Sequence, residues 1–185
     1  MNWNKHYKLE GAHAFLGASK FHWLNYDEEK LVEYFNKQQA VAMGTRLHAL
    51  AAEHIKLGIP LKRSHQTLNM YVNDAIGFKM DPEVVLFYSE NLFGTADSIS
   101  FRNGYLRIHD LKTGTIPAHM EQLMIYASLF CLEYKQKPGE IGMELRIYQN
   151  NDIIVCNPTA EDILPIMDKM IQFDKIISKL KEMEA

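Results

Sequence analysis

Asp97, Asp110 and Lys112 are the residues whose types and spacing could do chemistry. Asp97 closes the run Gly94-Thr-Ala-Asp97, and Asp110-Leu-Lys112 comes within a strand's length of it. Between them stands Arg102-Asn103-Gly104-Tyr105. Asn-Gly is the strongest short hairpin signal, because both turn positions need positive φ. If Asn103 and Gly104 form the loop, Phe101 faces Leu106, Ile99 faces Ile108, and Asp97 faces Asp110. The first two pairs are apolar, as a core face requires. The third brings two carboxylates together on that face, about 4.5–5.5 Å apart at Cβ, where like charges repel. A hard divalent cation with oxygen ligands, Mg²⁺ or Mn²⁺, would turn that repulsion into a site. Lys112 leans to the same face as Asp110. Such a face reads as metal-assisted hydrolysis.

The elements that must position these residues can be read along the chain. Residues 84–90, 95–101 and 105–111 are rich in β-branched and aromatic types and predict three strands. Residues 27–57 predict a helix, with 38–40 as a point where it could divide, and Gly58 and Pro60 as stops. Within it Gly44, His48, Ala51, Ala52 and Ile55 share one face. Residues 66–80 predict a second helix, ended by Asp81-Pro82. Pro117 opens a long helix over 118–134, in which Gln122 and Tyr126 share a face at i and i+4. Residues 140–149 and 152–156 predict two further strands, and 160–183 a final amphipathic helix. A strand–helix–strand crossover after Leu111 implies an α/β mixed sheet with helices on its faces.

The 185 residues suit a single domain over 1–185, with a helical part at 1–80 and a sheet core with the last helix at 81–185. A hydrophobic fraction of 47% supports a full core, and a net charge of −3 gives no overall basic signature for nucleic acid. The two cysteines, Cys131 and Cys156, make neither a disulfide framework nor a zinc site. No signal peptide or apolar run of spanning length is apparent, so a cytoplasmic protein without a membrane partner is expected.

With these residues in view, the chain resembles the PD-(D/E)XK phosphodiesterase superfamily, in its RecB-like, Cas4-like and phage-exonuclease branch. The carriers are Gly44-Thr-Arg-Leu-His48, Gly94–Asp97, Asp110–Lys112 and Gln122–Tyr126, in that order. Leu16-Gly-Ala-Ser-Lys-Phe-His-Trp-Leu-Asn25 is similar to the opening of phage-encoded members. Alone, each motif is weak: Glu28-Glu-Lys30 and Glu133-Tyr-Lys135 have the same Asp/Glu-x-Lys form on helix surfaces, and a lone His48 would read as an ordinary helix histidine. The resemblance implies a restriction-endonuclease-like core. It implies Mg²⁺ or Mn²⁺ held by His48, Asp97, Asp110 and the backbone carbonyl of Leu111, with Asp97, Asp110 and Lys112 as the catalytic set. It implies substrate contacts from Gln122, Tyr126 and Arg46, with Lys62, Arg63, Arg107 and Lys135 as weaker candidates for phosphate contact. The activity implied is a metal-dependent deoxyribonuclease, an exonuclease of phage or bacterial recombination and repair, leaving 5′-phosphate ends.

Some relatives carry an iron–sulfur cluster on four cysteines; with two, none is expected in one chain. DNA is the expected partner, with a homo-oligomer or a recombination or replication protein also open. Two other readings stand beside this one. The first is a nuclease-fold module that binds DNA or recruits a partner without useful catalysis. The second is a small-molecule metallohydrolase. Glu90 is a further carboxylate expected beside the site. His109, on the opposite sheet face from Asp110, is not expected to be a ligand.

Overall fold

In a computed structural model of the protein, residues 4–184 are described. The chain divides into two compact units, one ending at Ala42 and the other opening at Met43. Helix α1 (Glu28–Leu57) contributes residues to both and runs unbroken through 38–40.

In the first unit two short 3-10 segments, Tyr7–Leu9 and Ala18–Asn25, precede α1. Asp27 caps the helix, its carboxylate accepting from the Lys30 backbone N–H at 2.8 Å. Phe15 packs its ring on Tyr34 and Phe35, and Trp23 Nε1 donates to the Gly17 carbonyl.

The second unit is α+β. Its five strands are β1 (Asp81–Ser89), β2 (Leu92–Arg102), β3 (Tyr105–Leu111), β4 (Gly142–Gln149) and β5 (Asp152–Cys156). They lie side by side in sequence order in one mixed sheet. β3 and β4 are parallel, joined through α3 (Glu121–Glu133), and every other neighbouring pair is antiparallel. This is the crossover expected from the sequence, since parallel neighbours need a connection of helix length. The Asn103-Gly104 loop has φ of 52° and 73°, the two-residue turn that Asn-Gly favours, and it sets Arg102 opposite Tyr105, Phe101 opposite Leu106 and Ile99 opposite Ile108.

Helices cover both faces. α3 and α4 (Ala160–Glu184) enclose Leu86, Leu106, Ile108, Leu123, Leu145 and Ile163, all fully buried. Each such side chain contributes roughly 1.5–3 kcal/mol. On the other face, α2 (Thr67–Gly77) and the second half of α1 enclose Ala51, Tyr71, Val72, Leu111 and Tyr148. Asp174 of α4 ties that helix to the β1–β2 turn by accepting from Ser89 and Asn91. Among the described residues no helix is long and apolar enough to cross a membrane.

Strand alternation in β2 breaks at one of the motif carboxylates. Met80 and Ser98 meet on the α2 side, where Ser98 Oγ lies 3.9 Å from the Met80 sulfur. Val84, Ala96 and Leu86 belong to the core under α3. Ala96 and Ser98 are two apart, and a regular strand would put them on one face. The flip therefore falls at Asp97. Across from it, between the pairs Pro82–Ser98 and Val84–Ala96, Glu83 has φ of +52°. A non-glycine residue held there costs on the order of 1–3 kcal/mol.

Candidate metal centre

The centre lies where β2 and β3 part. Their backbone ladder runs from Arg102–Tyr105 to Ser98–His109 and stops there. The register makes Asp97 the next residue opposite Asp110, as the hairpin predicted, but the two backbones do not continue the ladder. Instead the Asp97 carboxylate accepts from the Leu111 N–H at 2.8 Å, standing in for the missing strand carbonyl.

Helix α1 supplies the histidine. His48 Nδ1 lies 3.4 Å from Asp97 Oδ2 and is half-buried. The approach is helped by Gly44, one turn earlier: a Cβ there would lie 2.8 Å from the Thr113 hydroxyl, so any larger residue would force Thr113 or the helix to shift. Asp97 holds the imidazole pKa above its ordinary 6.5 through their hydrogen bond, with the charges of Asp97 and Asp110 adding to this and burial opposing it.

Asp110 is only 1% exposed. Burial, then the charge of Asp97, raises its pKa, and Lys112 works against both. Lys112 Nζ donates to Asp110 Oδ1 at 3.1 Å and sits 2.9 Å from Oδ2. Both carboxylate oxygens therefore face the Lys112 ammonium, and Oδ2 is buried. A carboxylate oxygen has more than one lone pair, so one paired with Lys112 can still accept a metal.

Lys112 also donates to Gln122 Oε1 at 2.8 Å, and Gln122 Nε2 donates to the Tyr126 hydroxyl at 3.1 Å. The Tyr126 ring presses on Gly94, where a Cβ would come within 2.9 Å of Cε1. One line of contacts, Asp110–Lys112–Gln122–Tyr126–Gly94, thus links three of the four sequence motifs. The amide and phenol foreseen as substrate contacts are in the first instance supports for the lysine.

Glu83 was missed by sequence reasoning. Donor atoms of His48, Glu83 and Asp97 lie within 4.8 Å of one another. Burial and the charge of Asp97 raise the Glu83 pKa. Its sequence signal, a carboxylate just after Asp81-Pro82, was hidden because that dipeptide read as a break; β1 begins on it, which an edge strand allows. Glu90, expected beside the site, instead lies in the β1–β2 turn beyond the far end of β1.

Arg46, Lys62, Arg63 and Lys135 are exposed, and among the described residues no side-chain partner fixes a role for them. Arg107, expected to reach phosphate, turns to the α2 face. There its guanidinium lies 3.3 Å from Glu144 and stacks on Phe78 and Tyr105. The backbone N–H of Leu111 reaches Asp97, and the side chain of Leu111 is buried under α1 and α2. A cavity of about 320 Å³ opens beside Lys112, lined by Leu47, Leu68 and Leu111 as well as Thr67, Thr113, Asn150 and Asn151.

The donors are carboxylate oxygens and one imidazole, a set that fits Mg²⁺ and, with its nitrogen, Mn²⁺. The imidazole makes the centre sensitive to pH. Because the folded-state pKa of His48 is raised, its stabilising contribution is complete below 6.5 and is lost as pH rises through the raised value. Metal-free protein should therefore lose stability from this source just above pH 6.5, and Mn²⁺ affinity should rise over the same interval as the competing proton leaves. Urea midpoints and Mn²⁺ titrations between pH 6 and 8 measure both; in His48→Gln both trends should flatten.

Compared with protein-family models, curated proteins and solved structures, the chain matches none.

Proposed function

We propose that this chain is a divalent-metal-dependent deoxyribonuclease of the PD-(D/E)XK type, with a restriction-endonuclease-like core. In this proposal it is an exonuclease of the RecB- and Cas4-like branch, serving phage or bacterial recombination and repair. The observation that carries the proposal is the meeting of His48, Asp97, Asp110 and Lys112 at one end of the sheet, with Gln122 and Tyr126 braced behind the lysine. A buried carboxylate whose pKa is raised by burial and by the charge of a second carboxylate is costly to keep ionised without a cation.

His48, Asp97, Asp110 and the Leu111 carbonyl would hold the ion. A Mg²⁺ or Mn²⁺ there supplies a bound water of lowered pKa and positive charge against a phosphodiester. The protein's own part is orientation. Asp97 fixes the β3 end through the Leu111 N–H. Asp110 and Gln122 hold the Lys112 ammonium from two sides, so it can orient the attacking water and balance charge gathering on the phosphate. Tyr126 offers a ring face and Gln122 an amide near the same point, groups suited to stack on a base or bond a phosphate oxygen.

Incubating the protein with end-labelled single- and double-stranded DNA, with Mg²⁺ and Mn²⁺ in parallel, tests the proposal. Metal-dependent shortening that leaves 5′-phosphate ends is expected. DNA binding without cleavage under either metal would return the chain to the reading of a non-catalytic nuclease-fold module.

A further inference from the structure

Resting on the nuclease reading, we infer that Glu83 is a ligand of the same cation, which His48, Glu83 and Asp97 hold jointly from helix α1 and strands β1 and β2. Three observations carry this. The donor atoms of the three residues lie within 4.8 Å of one another, so modest side-chain shifts would bring all three onto one ion. Glu83 stands directly across from Asp97 at the one point where both strands turn over, and its backbone adopts φ of +52° to do so. Charge also favours it. Lys112 is committed to Asp110 and Gln122, so it does not serve the Glu83–Asp97 pair. Two carboxylates beside a neutral imidazole are matched by one divalent ion.

The reversed backbone at Glu83 is then part of the site. It falls where β1 passes from Pro82, paired with Ser98 on the α2 side, to Val84 in the core under α3.

Calorimetric titration of the full chain with Mn²⁺ alone tests this, with Glu83→Gln against wild type. The expected result is an affinity at least about tenfold weaker for Glu83→Gln. Glu83→Gly is the second variant, because it removes both the carboxylate and the strained backbone. Its thermal midpoint should exceed that of wild type without metal and fall below it in saturating Mn²⁺. Wild-type Mn²⁺ affinity in Glu83→Gln, or a Glu83→Gly advantage that persists in Mn²⁺, would overturn the assignment and leave only a bent strand. The two readings fail separately. A protein that needs Glu83 for Mn²⁺ but never cuts DNA loses the nuclease function and keeps the ligand. One that cuts DNA with Mn²⁺ affinity indifferent to Glu83 does the reverse.

Discussion

Asp97→Asn should lower metal-dependent DNA cleavage by about 10³-fold or more, while the protein stays folded. The size reflects the loss of several kcal/mol of metal-borne stabilisation, at about 1.4 kcal/mol per tenfold. The choice of asparagine matters. Its amide oxygen can still accept from the Leu111 N–H at the end of β3, so the clamp survives while the charge goes. Asp97→Ala removes both. Single-turnover cleavage with saturating Mn²⁺, alongside amide exchange at the β2–β3 end, separates the two losses. Lys112→Met should also impair cleavage, but with Mn²⁺ affinity kept, because the lysine neutralises Asp110 without being a ligand. Cleavage by Asp97→Asn at the wild-type rate would mean that the chemistry lies elsewhere.

The second large effect is on acid stability, and it comes from the other face of the sheet. His109 is fully buried between Phe78 and Tyr148. The Tyr148 hydroxyl donates to Asp74 at 2.7 Å, so its oxygen is left to accept from His109 Nδ1 at 3.3 Å. That fixes the neutral tautomer with a proton on Nδ1 and leaves Nε2 bare and buried. Burial first, then the charges of Arg146 and Arg107, push its pKa down from 6.5 to about 3. The unfolded chain therefore binds a proton that the folded chain refuses. The stability His109 confers is present above pH 6.5 and is lost as pH falls toward 3, at about 1.4 kcal/mol per pH unit, on the order of 5 kcal/mol in all. His109→Asn keeps an N–H for Tyr148 and removes the titration. Its unfolding free energy should fall less steeply below pH 6.5, whatever its value at pH 7. Equal slopes in urea titrations from pH 6.5 to 4.5 would show that the acid limb belongs to other groups.

The sequence revealed the hairpin because its chemistry is local: Asn103-Gly104 demands one turn, and the turn dictates every pair up to Ser98–His109. Gln122 and Tyr126 were legible as neighbours because helical spacing alone brings them together. That Gln122 would hold Lys112 was not legible, since it depends on how α3 crosses the sheet. Glu83 was hidden for a different reason. Its position relies on a left-handed backbone angle, which residue type does not announce when the residue is a glutamate rather than a glycine. That Arg107 would pair with Glu144 and stack on two aromatic rings on the α2 face was not legible, since those partners come from other elements. Motif glycines can be assigned a reason only from the fold: Gly44 and Gly94 are the places where Thr113 and Tyr126 come too near for a side chain.

The hydrogen bond from the Leu111 N–H to Asp97 makes one backbone amide a spectroscopic witness to the centre. A ladder amide bonded to a carbonyl sees little change when charge nearby is altered. This one donates to a carboxylate oxygen, so its electron density tracks whatever that carboxylate does. Binding an ion or a proton at Asp97 would draw charge from the acceptor, weaken the bond and move the amide resonance upfield. Leu111 thus offers a nitrogen-15 label, placed by the fold itself, through which occupancy could be monitored in solution without touching any ligand.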